Sequence, residues 1–517
     1  MTKCKSTTKT VTIVMIIMVV SRLLGFIREV IMINAFGRGV ETDAFFAAFT
    51  IPDLMYMLLV GGALSAAFIP VFTSYLVTEG EKEAWKVGSS FINLIVFALF
   101  FISIIGILFA QYLVPFVAYG FKGEELALTI KLTRFMFPAV TFTALAGLTS
   151  GVLQGYKKFY VSYIGPILYN IGIIFGTIFL SKYLGIVGTA IGVIIGAVVN
   201  FLFQFFFLKN KMKYYRLDFD LKHPGVQKIF KLILPTLIGL SVTQVNLIVN
   251  QNIASLLDTG SITALRLANR IIQLPLGIFA MSIASVIFPT ITSQIAKGEV
   301  EKFKDTFSLG LRNILFVIIP SAVGLLILRL PLIRLLFVHG AFTEQDAFIT
   351  AQVLLYYILG LIAQAGIQIL MRGFYANHDT KTPLKISIIT VASNILLNIV
   401  FVKYTSFGVK GLAFAYSITS LLNMIILYYI FTKKMNGIKD KEIFISIGKT
   451  LLACIGMGIV VFIVDMYLAR FINPFDKDLQ ILKIGVSSIV GMGIFVFIAY
   501  LLRMEELNRV VKILLRK

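Results

Sequence analysis

The chain consists of long apolar runs separated by short polar segments. An α-helix needs about 20 residues to cross the ~30 Å hydrocarbon core of a bilayer. Fourteen runs of about this length lie at 11–34, 44–77, 87–115, 126–154, 160–181, 184–208, 232–256, 262–296, 308–328, 347–371, 382–402, 411–432, 443–468 and 481–502. The pattern predicts an all-α polytopic membrane protein with fourteen transmembrane helices.

The composition agrees with a lipid environment. Of the 517 residues, 58% are hydrophobic and 14% are charged, whereas soluble proteins carry about 25% charged residues. The two cysteines, Cys4 and Cys454, lie far apart in the sequence, which argues against a disulfide framework and offers no metal-ligand spacing. The sequence contains no GxxxxGK[ST] phosphate-binding loop. We therefore expect neither redox chemistry nor a bound cofactor, and no ATP-driven step.

The net charge of +22 is distributed unevenly along the chain. The N-terminus and the even-numbered loops hold 28 Lys and Arg residues, whereas the odd-numbered loops hold 9. By the positive-inside rule the richer side is cytoplasmic, so both termini are predicted to be cytoplasmic. Most of the charge is then explained by topology and by contact with anionic lipids on the cytoplasmic face. No pattern of interleaved aromatic and basic residues accompanies it, so nucleic acid is not an expected partner.

Ten basic residues fall inside the predicted spans. Six of them lie near span ends, where they are expected to reach the interface by snorkelling: Lys131, Arg134, Arg312, Lys385, Lys449 and Lys483. Four lie deeper: Arg22, Arg28, Arg266 and Arg270. Because each Arg at the bilayer centre costs about 2.5–3.5 kcal/mol, we expect these four to face the interior of the helix bundle.

The spacing of the deep arginines predicts which of them share a helix face. Arg266 and Arg270 are four residues apart, with Asn269 beside them. Arg22 and Glu29 are seven apart and also share a face, whereas Arg28 points elsewhere unless the helix bends at Gly25.

Two interpretations of these arginines remain open. In the first, they are structural, and each is neutralised by Glu29, Asp43 or Asp53. In the second, the surplus of cations over acids attracts an anion. The amides of the seventh span line the same cavity or join helices to one another; they are Gln244, Asn246, Asn250 and Gln251.

Internal repeats predict the architecture. Pro70, Thr73 and Ser74 match residues 219 positions later, the pair Gly155-Tyr156 matches Gly373-Phe374, and four residues of 185–200 recur in 408–423. Three matches in the same order at nearly constant offset indicate duplication of a six-helix unit, so the two copies run parallel. The predicted domains are an N-lobe at 1–210, a cytoplasmic linker at 211–225, a C-lobe at 226–435, and a C-terminal helix pair with a basic tail at 436–517. Two such lobes around a charged cavity suit alternating access.

Several long motifs identify a family resemblance. They are SRLLGFIRE (21–29), FGRGVETDAFFAAFTIPDL (36–54), ALSAAFIPVF (63–72), ANRIIQLPLGIFAMSIASVIFPTIT (268–292) and GFYANHDTKTP (373–383). Together they resemble the MurJ/MviN family within the exporter superfamily that also includes the multidrug MATE transporters. The resemblance implies a flippase that moves lipid II, the undecaprenyl-pyrophosphate-linked peptidoglycan precursor, from the inner to the outer leaflet of the bacterial cytoplasmic membrane. It also implies proximity to the cell-wall synthesis or division machinery.

The resemblance also implies site residues. The family's essential cavity arginines match Arg22, Arg28 and Arg270, and Glu29 matches the acid after the second arginine. Many relatives carry an Arg where this chain has Tyr56 and an Asp where it has Asn269, so we expect Arg266 to supply the missing cation. The remaining candidate cavity-lining residues are Ser21, Asp43, Asp53, Gln244 and Asn250. A sodium site described in some relatives has weak candidates here in Asn250, Asp379 and Asn394.

Transport of an anion also bears on the driving force. Moving two negative charges outward is favoured by up to ~4.6 kcal/mol per 100 mV of interior-negative potential. The membrane potential, or a coupling ion such as Na⁺ or H⁺, is therefore the expected energy source.

Three rival functions are distinguishable. A membrane-embedded transferase or phosphatase needs a general base or metal ligands, but the three histidines are scattered and lack a paired acid motif. An exporter of organic cations needs an acidic cavity, which four arginines contradict. A flippase for another undecaprenyl-linked oligosaccharide, of the capsule, O-antigen or teichoic type, shares the cationic cavity and remains the alternative.

Overall fold

A computed structural model describes residues 2–58, 64, 67–472 and 476–507 of the chain. Within these ranges, side chains are described for all residues except 2–12, 56, 238–240 and 242–243. The described residues form helices and connecting segments, with no β-strand among them. The prediction of an all-helical chain is therefore confirmed.

The chain divides into two compact units. Unit 1 comprises the residues up to Thr263 together with His339–Phe342, and unit 2 comprises Ala264–Val338 and the residues from Thr343 onward. The helices of unit 1 are α1 (Thr2–Phe36), α2 (Val40–Tyr56), α3 (Ile69–Thr78), α4 (Glu81–Leu108), α5 (Ala110–Val117), α6 (Gly123–Gly155), α7 (Phe159–Phe175), α8 (Ser181–Leu184), α9 (Ile186–Leu208) and α10 (Pro224–Ala254).

Eight further helices follow along the chain. They are α11 (Ser261–Pro275), which begins in unit 1 and continues into unit 2, then α12 (Met281–Ala296), α13 (Val300–Phe337), α14 (Glu344–Ala376), α15 (Lys381–Tyr404), α16 (Val409–Lys434), α17 (Asp440–Leu468) and α18 (Lys477–Leu501). Helix α10, which the sequence assigned to the second lobe, packs on α2 to α5 and therefore belongs to unit 1. The predicted lobe boundaries stay a prediction.

Eleven helices among the described residues are long and apolar enough to cross a membrane. They correspond to eleven of the fourteen predicted spans. The other three predicted spans, 11–34, 44–77 and 232–256, fall on stretches in which part of the chain or of its side chains lies outside the description. The membrane-spanning character is confirmed, and the total of fourteen stays a prediction.

Glycines allow two helices of unit 1 to approach backbone to backbone. A Cβ atom added to Gly172 of α7 would lie 2.3 Å from the Cα atom of Gly196 in α9, and one added to Gly192 would lie 2.8 Å from the carbonyl oxygen of Gly172. Such small-residue contacts drive helix association in membranes, where apolar burial between helices contributes little. The packing of α7 on α9 therefore depends on these positions.

Two basic residues of unit 2 are buried and paired within the protein. They are Arg312 and Lys483, and their expected position near the membrane interface stays a prediction. The Arg312 guanidinium donates to Glu506 at 2.6 Å, to Glu505 at 2.9 Å and to Glu442 at 3.0 Å. The ammonium group of Lys483 in α18 lies 2.9 Å from the carboxylate of Asp465 in α17. These pairs join α17 and α18 to each other and to α13, and their partners are too distant in sequence for a pattern to predict.

We predict that Gly172→Ala lowers the stability of the protein, because the added methyl group meets backbone atoms that cannot rotate away. The expected loss is about 1–3 kcal/mol, the usual cost of overpacking. Thermal unfolding in detergent, followed by the fluorescence of the single tryptophan Trp85, measures it. Gly485→Ala in α18 is the matched control, since a Cβ there meets nothing within 4 Å. Equal unfolding midpoints for the two variants would contradict the packing argument.

Candidate functional site

Arg28 is held by two different acceptors on unit 1. Its Nη1 atom donates to the amide oxygen of Asn170 in α7 at 3.2 Å, and its Nη2 atom lies 3.4 Å from the carboxylate of Glu29. The side chain of Arg28 is 16% exposed and that of Glu29 is 4% exposed. The guanidinium therefore points into the packing of α1 against α7, and its charge is offset there by one neighbouring carboxylate at the outer limit of hydrogen-bond distance.

The other predicted arginines occupy two different surroundings. On α1, Arg22 is exposed and Ser21 is half-buried, six and seven residues before Arg28 and so nearly two helical turns away. In unit 2, Arg266, Asn269 and Arg270 are all half-buried on α11. Arg266 and Arg270 lie one turn apart, as their spacing predicted. Convergence of the two sets on one anion stays a prediction.

Asp43 has a role that the sequence did not indicate. One of its carboxylate oxygens accepts the Gly260 N–H at 2.7 Å, and the other accepts the N–H and the hydroxyl of Thr263 at 2.8 and 2.5 Å. The residue is buried. A carboxylate at this position satisfies backbone donors at the start of α11 and interacts favourably with the positive end of the helix dipole. Asp43 is thus a helix-capping residue contributed by another helix.

A second contact supports the same connection. The Arg38 Nη1 atom donates to the carbonyl oxygen of Thr259 at 3.0 Å. Asp43 in the first turn of α2 and Arg38 just before it therefore attach to the start of α11 and the segment before it, and all of these residues belong to unit 1.

The amides near the end of α10 join helices. The Thr50 hydroxyl donates to Gln251 at 2.6 Å, and Asn252 donates to the carbonyl oxygens of Pro115 and Phe116 at 3.1 and 2.9 Å. The sequence left two interpretations open for the amides of the seventh span. The contact between Gln251 and Thr50 agrees with the interpretation in which these amides join helices. Gln244 and Asn250 are half-buried on the same helix, and Asp53 is exposed on α2. The side chain of Tyr56 lies outside the described residues.

The two candidate metal ligands of unit 2 lie apart, one before α15 and one on it. Asp379 accepts hydrogen bonds from Lys434 at 2.7 Å and from the hydroxyl of Thr382 at 2.9 Å, just before α15 begins. Asn394 lies about 20 Å further along that helix, at a rise of 1.5 Å per residue. Its own partners are Thr419 and Asn398.

Neutral groups surround Asn394, namely the Thr419 hydroxyl and the Asn398 amide. No group of three or more His, Cys, Asp or Glu side chains suited to a metal occurs within the described ranges. Asn250 belongs to unit 1 and the other two candidates to unit 2. The coupling ion stays a prediction.

Sequence reasoning missed Asn170, the neutral partner of Arg28. It is buried in α7, where its own amide nitrogen donates to the carbonyl oxygen of Pro166 at 2.9 Å. An asparagine in the middle of a predicted apolar span was a usable signal, because a polar group in hydrocarbon needs a partner inside the protein. The identity of that partner required the packing of α1 on α7.

Comparison with known sequences identifies one family. The family profile described as "Lipid II flippase MurJ" matches residues 32–475. A protein of Buchnera aphidicola described as "Probable lipid II flippase MurJ" is 34% identical over 450 residues, which cover 86% of this chain and 88% of that protein. A Burkholderia cenocepacia protein described as "Lipid II flippase MurJ" is 32% identical, with 79% of this chain and 80% of that protein covered.

Comparison with solved structures agrees with the sequence comparison. The structure "Lipid II flippase MurJ, inward closed conformation" matches with a TM-score of 0.77 and 30% identity, covering 93% of this chain and 98% of the other. An inward-facing MATE family multidrug resistance transporter of the MOP superfamily matches with a TM-score of 0.69 at 16% identity, covering 81% and 96%. At that identity, the second similarity shows a shared fold alone.

We predict that Asp43→Ala destabilises the protein by roughly 2–4 kcal/mol, because buried N–H donors at the start of α11 lose their acceptor. Glu41→Ala is the matched control, since Glu41 lies two residues earlier and is exposed. Thermal unfolding in detergent compares the two. A midpoint for Asp43→Ala equal to that of Glu41→Ala would exclude the capping role.

We predict a specific pH dependence for the ion pair between Asp379 and Lys434. Partial burial alone would raise the pKa of Asp379, but the Lys434 ammonium and the Thr382 hydrogen bonds outweigh it and lower that pKa to about 2. The ionised Asp379 carboxylate therefore stabilises the folded protein fully above its ordinary pKa of 3.8. This stabilisation is lost as the pH falls toward 2. The difference in unfolding midpoint between the wild type and Asp379→Asn should be constant from pH 7 to 5 and shrink toward pH 3. A difference in unfolding midpoint that widens as the pH falls would refute the stabilising role of this ion pair.

Proposed function

The chain belongs to the MurJ family of lipid II flippases, and from this we propose that it carries lipid II across the cytoplasmic membrane, from the inner to the outer leaflet. The family is one of transporters and not of enzymes. The observation that carries the proposal is the match to a solved MurJ structure over 93% of this chain at 30% identity. The eleven apolar helices of the described residues supply the multi-pass membrane body that such transport requires.

We propose that the pyrophosphate of the cargo binds Arg22, Arg28, Arg266 and Arg270, with Asn269 as a neutral donor. Arginine suits this role because its planar guanidinium donates in parallel pairs to phosphate oxygens. The surroundings of Arg28 support the proposal, since its acceptors are one neutral amide and one carboxylate at 3.4 Å. A diphosphate with about two negative charges is a stronger acceptor than either and would replace them.

Glu29 and Asn170 then act as positioning residues. In the absence of cargo they hold the Arg28 side chain within the bundle and supply the acceptors that a buried guanidinium needs. Binding of cargo exchanges these contacts for phosphate oxygens. Because the exchange swaps one set of hydrogen bonds for another, the arginine never faces hydrocarbon without a partner.

The orientation follows from the distribution of basic residues. We propose that both termini are cytoplasmic, since the loops on their side carry 28 of the Lys and Arg residues. The cargo then enters from the inner leaflet, which faces the cytoplasm, and its polyprenyl tail stays in lipid throughout.

We predict that Arg28→Ala and Arg270→Ala fail to support growth when the native gene of the host is depleted. The expected readouts are accumulation of lipid II and lysis, because the pyrophosphate loses its charge-assisted contacts. Arg28→Lys, which keeps the charge and loses the planar fork, should support growth only partly. Arg266→Ala should also fail if Arg266 supplies the cation absent at Tyr56.

Arg470→Ala is the control for this experiment, since Arg470 is exposed and follows the end of α17. Immunoblots of membranes establish equal amounts of each variant. Normal growth of Arg28→Ala and Arg270→Ala at equal amounts would overturn the assignment of the arginines. Normal lipid II turnover in the depleted strain, without any complementing variant, would instead overturn lipid II as the cargo.

A further inference from the structure

The segment 215–222, called here the strap, connects the 3₁₀ turn Lys209–Tyr214 to α10 and is attached to the side of α4. The amide nitrogen of Asn93 donates to the carbonyl oxygens of Arg216 at 3.0 Å and Asp218 at 2.8 Å. The Tyr215 hydroxyl donates to the amide oxygen of the same Asn93. The Arg216 N–H donates to the Ser89 hydroxyl at 3.1 Å. The strap therefore has a defined position along α4.

Apolar and charged residues alternate along the strap. The apolar residues Leu217, Phe219 and Leu221 are 81%, 44% and 55% exposed. The two acids between them bond to the strap's own backbone: Asp218 accepts the Phe219 N–H at 2.8 Å, and Asp220 accepts the Lys222 N–H at 3.0 Å. The acids are thus hydrogen-bonded locally, while the three apolar side chains beside them are exposed.

The strap packs on the apolar part of α4. The ring of Phe219 meets the ring of Phe97 edge to face, with centroids 6.1 Å apart. Phe97 is exposed and stands within the uncharged part of α4, residues 87–108, which is about 33 Å long and therefore long enough to cross the hydrocarbon core. Phe219 therefore packs on the apolar surface of a helix that is long and apolar enough to cross a membrane.

The charge around the strap is positive. The range 209–231 contains seven Lys and Arg residues and two Asp. The ammonium group of Lys209 lies 4.2 Å from the ring centroid of Phe206, and that of Lys213 lies 4.9 Å from the ring centroid of Tyr214. Basic and aromatic side chains together are typical of the membrane interface, and the anionic cytoplasmic leaflet attracts such a cluster.

We propose that the strap docks into the cytoplasmic leaflet, with Leu217, Phe219 and Leu221 among the acyl chains of anionic phospholipids and the neighbouring basic residues at their headgroups. Burial of the apolar side chains among the acyl chains and attraction of the basic residues to the anionic headgroups then both favour docking, as they do for amphipathic segments at membrane surfaces. The docked strap sets where α10 begins, because His223 directly follows it and accepts the Gly225 N–H in the first turn of that helix. This docking is independent of the cargo.

Spin labels on the full-length protein test the proposal. In a Cys4→Ser, Cys454→Ala background, a nitroxide is attached at Leu217→Cys or Leu221→Cys, and as matched controls at Arg216→Cys or Lys222→Cys, all four being exposed positions. The protein is reconstituted in vesicles of phosphatidylethanolamine and phosphatidylglycerol. We expect the ratio of collisions with oxygen to collisions with a water-soluble nickel chelate to be several-fold higher at 217 and 221 than at 216 and 222.

Two results would overturn the proposal. Equal ratios at all four positions would mean that the strap is a water-exposed loop, whatever the activity of the protein. Equal depth at 217 and 221 in vesicles of phosphatidylcholine alone would overturn the assignment of anionic lipid as the partner. Thermal unfolding of each labelled variant confirms that the fold is retained, because all four side chains project from the surface.

Discussion

A polar group inside an apolar helix bundle has no water to bind, so it must find its hydrogen-bond partner within the protein. Three described residues show how this constraint shapes the structure. Arg28 uses Asn170 of another helix, Asn93 uses the backbone of the strap, and Arg312 uses three carboxylates from two other parts of the chain. Each of these groups thereby attaches its own helix to a segment that is distant in sequence.

Arg312, which is buried, and Arg28, which is half-buried, differ in how completely they are neutralised. Arg312 donates to Glu442, Glu505 and Glu506, all within 3.0 Å. Removing Arg312 would leave the buried Glu506 carboxylate without its counterion, so the role of the cluster is to hold α13 against the C-terminal helix pair. Arg28 has a single carboxylate at 3.4 Å and a neutral amide. An arginine with weaker acceptors can exchange them for an anion, which is why the proposed function uses Arg28 and not Arg312.

The helix backbones also divide into close-packed and widened parts. Gly172, Gly192 and Gly196 allow α7 and α9 to approach at backbone distance, which gives that pair little freedom to shift. The helices also widen into π-helical turns, one of which, Gly176–Leu180, directly follows α7. Two further π-helical turns lie at residues 57 and 58 and at Leu276–Ala280. These two places are 219 residues apart, the offset of the repeated Pro, Thr and Ser motif. Widened turns are frequent at functional sites, and one of them begins six residues after Arg270.

The sequence alone determined the properties that depend on local pattern. Run lengths predicted the membrane helices, the counts of Lys and Arg predicted the orientation, and motifs such as SRLLGFIRE indicated the family. Tertiary structure decided the partners: Asn170 of α7 bonds to Arg28, Asp43 caps a helix that begins more than 200 residues later, and Arg312 is buried among acids. The physical reason is that hydropathy and charge are properties of each residue and its near neighbours. A hydrogen-bond partner in a helix bundle is set by how distant helices pack, and the sequence pattern does not contain that information.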